Sequence, residues 1–184
     1  MFKRIDRELK KLPKNFVVGI ATSSKSYKKT NIDVLNFLVN KQYAQGSYIT
    51  ANMPYTHLID MFEKNCINTE KLHFIDCITK TTGAKLPKAK NCVFVSSPSH
   101  LTELSTALHD YIKSFKGDDR FLHIDSLSIL CIHNKRRDVL RLVHYLSSKM
   151  KAFGLMGMVV SLNKETDKEL IAELGHICDK IIYI

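Results

Sequence analysis

Apolar residues follow two spacings along this chain, one typical of strands and the other typical of helices. Short apolar runs, bounded by polar or glycine-containing stretches, predict seven strands. They cover residues 16–21, 47–51, 72–78, 92–95, 121–124, 157–162 and 180–184. Segments between them repeat apolar residues every three or four positions and predict helices over 2–12, 30–41, from 54 onward, 99–113, 136–153 and 167–174. This alternation favours an α/β fold with a mainly parallel sheet covered on both faces.

The first helix is amphipathic and basic. Phe2, Ile5, Leu9 and Leu12 share one face, lysines and arginines lie between them, and Pro13 ends the helix. Its apolar stripe can pack on the core of the same chain, dock on another chain, or accompany a basic surface that binds nucleic acid. The sequence leaves all three alternatives open.

The first turn from strand to helix has part of the pattern of a phosphate-binding loop. Such a loop needs glycines that let backbone amides wrap phosphates, followed by Lys and Ser or Thr at the start of a helix. Lys29 and Thr30 stand where that pair belongs, and the two glycine positions fall on Ser23 and Lys28. The turn therefore predicts a loop over 23–29 that leads into a helix near Thr30.

A second register of the same loop runs from Gly19 to Lys25 and Ser26. It restores one glycine, but that glycine lies inside the predicted strand and the lysine comes a turn too early. We prefer the first register and keep Lys25 among the candidate phosphate contacts.

The strand at 121–124 is followed by Asp125. An acid after a buried strand is the arrangement that holds Mg²⁺ in many nucleotide-binding enzymes, directly or through water. Parallel strands also end in aspartate for helix capping or turn formation. Asp125 is therefore a candidate magnesium ligand, with a structural role as the alternative.

Composition adds limits to this picture. The length of 184 residues fits one domain over 1–184, with residues 1–13 as the N-terminal helix. Five widely spaced cysteines in mainly apolar segments, no signal-type N-terminus and no apolar run of membrane-spanning length predict a cytoplasmic protein without membrane contact. Of the net charge of +10, residues 1–90 carry nearly all, with 16 Lys and Arg against 7 Asp and Glu.

Taken in order, several segments resemble the RecA/KaiC-like P-loop ATPase superfamily, in particular its divergent archaeal KaiC-like branch with a degenerate Walker A loop. The resemblance covers nearly the whole chain after Pro13, and its carriers are the segments 46–55, 74–78, 96–104 and 121–130. It implies a three-layer RecA-like core. It also implies a site for ATP or ADP with magnesium, formed by Ser23, Lys25, Lys28, Lys29, Thr30 and Asp125, with Asp125 as the metal ligand.

The chain departs from this family at the residues that would activate water for ATP hydrolysis. Active relatives carry one or two glutamates at the end of the second core strand, and the matching residues here are Ala51, Asn52 and Met53. An asparagine can position water but cannot take its proton. The resemblance therefore implies a non-catalytic or weakly nucleotide-binding domain, with ATP or ADP bound or no cofactor at all, that regulates or scaffolds through self-association or a protein partner.

Basic clusters favour an alternative function. Lys25, Lys28 and Lys29 lie beside Tyr27, and lysines with an interleaved aromatic can hold single-stranded nucleic acid. Further lysines occur at 10, 11 and 14 and at 85, 88 and 90. The alternative is a nucleic-acid-binding recombinase paralogue, and a solvated lysine-rich surface would have the same composition.

Overall fold

The structure is a computed structural model that describes residues 2–114, 117, 119–162 and 168–184. Its helices are α1 (Phe2–Leu9), α2 (Tyr27–Leu35), α3 (Tyr55–Glu63), α4 (Leu101–Ser114), α5 (Leu127–His133), α6 (Arg136–Ala152) and α7 (Lys168–Ile177). Its strands are β1 (Val17–Thr22), β2 (Gln45–Thr50), β3 (Leu72–Asp76), β4 (Cys92–Phe94), β5 (Arg120–Asp125), β6 (Met156–Leu162) and β7 (Lys180–Tyr183). A π-helical segment (Asn36–Lys41) continues α2, and short 3₁₀ turns cover Thr69–Lys71 and Thr79–Thr82. None of the described helices has the length and apolarity needed to cross a bilayer.

The strands form one parallel sheet, which confirms the predicted α/β fold. Across the described residues its order is β4-β3-β2-β5-β6-β1-β7, and each neighbouring pair runs parallel. All carboxyl ends therefore lie along the same edge of the sheet, where α/β proteins bind their ligands. Strand β6 lies between β1 and β5, so the turn after β1 and the acid after β5 face each other across one intervening strand.

Each face of the sheet carries its own hydrophobic core, which gives three layers. Helices α1, α2 and α3 cover one face, where Tyr48, Phe74 and Phe121 are fully buried. Helices α4, α5, α6 and α7 cover the other face. Alternating residues of each strand enter the two cores, as a sheet buried on both sides requires.

Helix α1 packs on the core of its own chain. Ile5 and Leu9 are each 1% exposed and belong to the same core as α2 and α3. Of the three alternatives for the apolar stripe, these two residues therefore follow packing on the core of the same chain. The helix ends at Leu9, and Leu12 packs only partly against the core.

Gly46 of β2 lies opposite Phe121 of β5. A Cβ atom at Gly46 would lie 2.4–2.5 Å from carbons of the Phe121 ring. Real Cβ atoms do not approach other atoms so closely, so the residue at this position has to be glycine for the aromatic ring to fill the core beside β2.

The structure also differs from the prediction at the start of α2 and in containing α5. Helix α2 begins at Tyr27 and not near Thr30, because a turn over Ser23–Ser26 already directs the chain into a helix. Helix α5 was not predicted at all. It has seven residues, too few to show a helical period, and begins where the Ser126 hydroxyl accepts the N–H of Ile129 at 3.4 Å. The predicted helix start at Asp167 lies outside the described residues.

Candidate functional site

The turn after β1 is short and internally hydrogen-bonded. The Ser26 N–H donates to the Ser23 carbonyl at 3.0 Å, and the Thr30 N–H donates to the Ser26 carbonyl at 2.8 Å. A phosphate-binding loop presents such amides to its ligand. Here the first bond closes the turn and the second belongs to the first turn of α2.

The predicted phosphate contacts are spread over the start of α2. Ser23, Lys25 and Lys28 are exposed. Lys29 lies in the first turn of α2, and its Nζ atom donates to Oδ1 of Asp33 at 2.9 Å. The ammonium group that the loop pattern assigns to phosphate therefore has a carboxylate partner four residues along its own helix.

Thr30 is the buried member of the predicted set. Its Oγ1 atom lies 2.9 Å from Oγ1 of Thr22, the last residue of β1. The two hydroxyls share a hydrogen bond that fastens the first turn of α2 to the end of β1.

Asp125 is fully buried at the carboxyl end of β5. The Tyr27 hydroxyl donates to its Oδ1 atom, and the Tyr48 hydroxyl donates to its Oδ2 atom. The Asn31 amide also donates to Oδ1, at 3.3 Å. The start of α2 therefore reaches the predicted magnesium ligand through Tyr27 and Asn31, while Lys29 turns to Asp33.

His123 extends this cluster into the sheet. Its ring stacks on Tyr48 with centroids 4.8 Å apart, and its Nε2 atom lies 2.7 Å from Oδ1 of Asn31. Because the Asn31 amide nitrogen is directed at Asp125, its oxygen faces His123, and Nε2 is the donor of this bond. Burial lowers the pKa of His123 to about 3, so the ring is neutral at physiological pH.

Burial also governs the two acids of the cluster. It raises the pKa of the Asp125 carboxyl well above its usual range, and it raises the pKa of Tyr48 likewise. We call Tyr27, Asn31, Tyr48, His123 and Asp125 the buried polar cluster. Burial favours the neutral form of its acids.

Tyr27 closes this cluster toward solvent. Its side chain is 7% exposed, and its hydroxyl accepts a hydrogen bond from the exposed Asn52 at 3.4 Å. The ring therefore lies between the turn after β1 and the end of β5. In the family that the sequence resembles, phosphate and magnesium occupy that space.

A magnesium ion fits poorly beside Asp125 as it stands. Both carboxyl oxygens accept hydrogen bonds from tyrosine hydroxyls, whereas Mg²⁺ is usually held by one or two carboxylates together with several waters in octahedral geometry. Among the residues that the structure describes, no group of three or more His, Cys, Asp or Glu side chains could hold a metal ion.

The residues after β2 form a turn without an acid. The Thr50 hydroxyl accepts the N–H groups of Met53 at 3.1 Å and Asn52 at 3.3 Å. The Ala51 N–H donates to the Asp125 carbonyl at 2.8 Å. The Asn52 side chain hydrogen-bonds Tyr27 of the buried polar cluster, and an amide cannot act as a general base.

Asp76, the acid at the end of β3, has a structural role. Its carboxyl group accepts the N–H groups of Tyr55 at 2.7 Å, Ile78 at 2.6 Å and Thr79 at 2.8 Å. These bonds hold the start of α3 and the turn after β3. The carboxylate is therefore committed to backbone groups, away from the space in front of β6.

Of the buried polar cluster, sequence reasoning placed only Asp125 in the nucleotide site. It considered Tyr27 as a nucleic-acid contact and left out Asn31, Tyr48 and His123. Tyr48 and His123 lie opposite each other in the register of β2 and β5. Each is a polar residue inside an otherwise apolar strand, which is a signal that the sequence contains. The pairing of strands distant in sequence was needed to show that the two signals meet.

Comparison with known proteins gives the family of the chain. The model of a family of unknown function, DUF7504, matches residues 60–184. The chain belongs to this family. No curated protein matches it.

Two solved structures share the fold of this DUF7504 chain. The uncharacterized protein PH0321 from Pyrococcus horikoshii, crystallised in complex with an unknown peptide, is 15% identical with a TM-score of 0.71, over 98% of this chain and 82% of that one. The KaiC-like protein PH0186 from Pyrococcus horikoshii OT3 is 12% identical with a TM-score of 0.62, over 94% of this chain and 72% of that one. The fold is therefore RecA/KaiC-like.

Proposed function

We propose that this DUF7504 chain is a non-catalytic or weakly nucleotide-binding KaiC-like domain that regulates or scaffolds through association with another protein or with itself. The observation that carries the proposal is the position of Tyr27. Its buried ring spans from the turn after β1 to Asp125, in the space where an active relative would hold phosphate and magnesium.

Three features of the site support weak or absent nucleotide binding. The amides of Ser26 and Thr30 bond within the turn and helix, the ammonium group of Lys29 is paired with Asp33, and Asp125 is covered by tyrosines. A bound nucleotide would have to replace these contacts, and their loss would reduce its affinity. In this proposal the loop is a degenerate Walker A, with Ser23 and Lys28 at its glycine positions.

The lack of a carboxylate at residues 51–53 supports the proposal that the domain is non-catalytic. Residues 51–53 are Ala, Asn and Met, and Asn52 contacts Tyr27 through its amide. Without a carboxylate to take a proton from water, hydrolysis loses the roughly 10²- to 10⁴-fold that general-base catalysis contributes.

Protein association is supported by one relative in fold, because PH0321 was crystallised with a peptide. We further propose a cytoplasmic location. All five cysteines, Cys66, Cys77, Cys92, Cys131 and Cys178, are free thiols, as expected of proteins in a reducing compartment.

Calorimetric titration with ATP and ADP, each with magnesium, tests the proposal. We expect dissociation constants of about 1 mM or weaker for the wild type. Tyr27→Ala, which vacates the space in front of Asp125, should bind more tightly than the wild type. Tyr145→Ala, which makes the same change at an exposed tyrosine of α6 on the other face of the sheet, is the matched control and should change nothing.

Turnover assays complete the test. We expect no magnesium-dependent hydrolysis near the ~1 s⁻¹ of an ordinary enzyme. Micromolar binding by the wild type, together with hydrolysis that Lys29→Ala abolishes, would contradict the proposal.

Nucleic-acid binding is a second candidate, supported by the outer face of α1 and the residues that follow it. Arg4, Arg7, Lys11 and Lys14 are exposed there. The substitutions Lys10→Glu, Lys11→Glu and Lys14→Glu should then weaken binding of single-stranded DNA and flatten its salt dependence by about one unit of slope per lost phosphate contact. Absence of DNA binding by the wild type at low salt would reject this candidate.

A further inference from the structure

Strand β4 leaves one edge of the sheet open. It pairs with β3 through the carbonyl of Asn91, which accepts from Phe74 at 2.7 Å, and through the N–H of Val95, which donates to Asp76 at 2.8 Å. Backbone groups alternate in direction along a strand. Those of Cys92 and Phe94 therefore point away from β3, and no strand among the described residues pairs with that side.

A groove runs beside this edge on the face covered by α4. Its volume is about 470 Å³, and its walls include Val93 and Leu72 from the strands and Ala107 and Tyr111 from α4.

 Val93 is 43% exposed, so an apolar side chain at the open edge faces the groove. A segment added along β4 would direct every second side chain toward it.

The connection that leads into β4 is basic and has no acidic residue. Lys85, Lys88 and Lys90 are exposed, and among the described residues none of them forms an ion pair. The sequence from 77 to 102 contains no Asp or Glu. Two acids, Glu70 and Asp110, line the groove from the 3₁₀ turn before β3 and from α4. The unpaired positive charge therefore belongs to the connection, where it is complementary to an acidic chain.

At the opposite edge of the sheet the charged side chains form ion pairs. At β7, Lys180 pairs with Glu8 at 2.7 Å, and the neighbouring Asp179 pairs with Lys151 at 2.6 Å. The charges at that edge are satisfied within the chain. Uncompensated charge, an open backbone edge and an apolar groove coincide at β4.

From this coincidence we propose that β4 is a docking site for an extended acidic segment of a partner protein, which adds to the sheet as a strand. The partner's main chain would bond to Cys92 and Phe94, an apolar side chain would enter the groove beside Val93, and its acids would face the three lysines. The inference rests on the proposed function, since it names the partner class through which the domain would act.

Selection from a random 12-residue phage-displayed peptide library tests the inference without assuming a sequence. The wild-type chain is the bait. We expect enriched peptides that are acidic and alternate apolar residues. An enriched peptide, synthesised with a fluorophore, is then titrated by fluorescence anisotropy against wild type and variants.

Two variants address separate parts of the site. Lys85→Glu, Lys88→Glu and Lys90→Glu together should weaken binding by about tenfold or more, while the same change at Lys10, Lys11 and Lys14 alters net charge equally and should have little effect. Cys92→Pro removes a donor that points away from β3 and should also weaken binding. The lysine variant is confined to exposed side chains, so it keeps the test decisive if the proline variant fails to fold.

No enrichment, basic or uncharged enriched peptides, or equal weakening by both lysine triples would overturn the inference. Tighter binding of a single-stranded DNA oligonucleotide than of any selected peptide at the same lysines would overturn it in favour of nucleic acid. The proposed function fails on different readouts, namely nucleotide affinity and turnover, so the two failures can be told apart.

Discussion

The two tyrosines that bond to Asp125 should contribute unequally to stability. Among the described residues, Oδ2 of Asp125 has one side-chain donor, Tyr48, whereas Oδ1 has two, Tyr27 and Asn31. Tyr48→Phe therefore leaves a fully buried oxygen without that partner. Tyr27→Phe leaves Oδ1 with the Asn31 amide as a donor.

The expected magnitudes follow from these contacts. A buried acceptor without a partner costs about 1–3 kcal/mol, whereas a typical hydrogen bond contributes about 0.5–1.5 kcal/mol. We expect the free energy of unfolding to fall by the larger amount in Tyr48→Phe and by the smaller in Tyr27→Phe. For a domain of this size, each kcal/mol lowers Tm by about 2–4 °C.

Urea unfolding followed by circular dichroism measures both variants, with Tyr183→Phe as the control. Tyr183 is 51% exposed, so loss of its hydroxyl should stay within about 0.5 kcal/mol of wild type. A Tyr27→Phe variant that is less stable than Tyr48→Phe, or a neutral Tyr48→Phe variant, would refute this account of the hydrogen bonds.

Two further predictions concern the core and the pH dependence of stability. Gly46→Ala should lower the free energy of unfolding by about 1–3 kcal/mol, because the new Cβ meets the Phe121 ring. Gly157→Ala should cost less in the same urea titration, because its Cβ meets the flexible end of Met150; the reverse order would contradict the packing. Burial raises the pKa of Asp125 above its unfolded value, so the stability that this group contributes is complete below about pH 4 and declines as pH rises through the folded pKa. Asp125→Asn should therefore lose stability less steeply above pH 4 than wild type, and equal slopes would count against a raised pKa.

The strands could be predicted from sequence because each is a compact apolar run. Leu72–Asp76 and Met156–Leu162 lie within two residues of their predicted bounds. The start of α2 was harder to predict, because it depends on a turn between Ser23 and Ser26. The phosphate-loop pattern predicts an extended loop at these residues. Helix α5 follows directly after β5 and is too short to show a period.

Less of the candidate site could be predicted. The order of residues located Asp125 at a strand end, but not the side chains that cover it. Tyr48 approaches Asp125 only because β2 and β5 are neighbours, and Tyr27 approaches it from the other side of β6. Tyr48 is 77 positions from Asp125 in the sequence, and Tyr27 is 98 positions from it. Such contacts depend on the order of the strands in the sheet, which local sequence patterns do not encode.

Strand β6 separates β1 from β5, and a single tyrosine crosses the space in front of it. If the backbone filled this cleft, several substitutions would be needed to open it. Because a side chain fills it, one substitution is enough. Replacement of Tyr27 by a small residue would therefore open the cleft and leave the sheet intact. In this chain the closed and open forms of the cleft differ by a single substitution at one position.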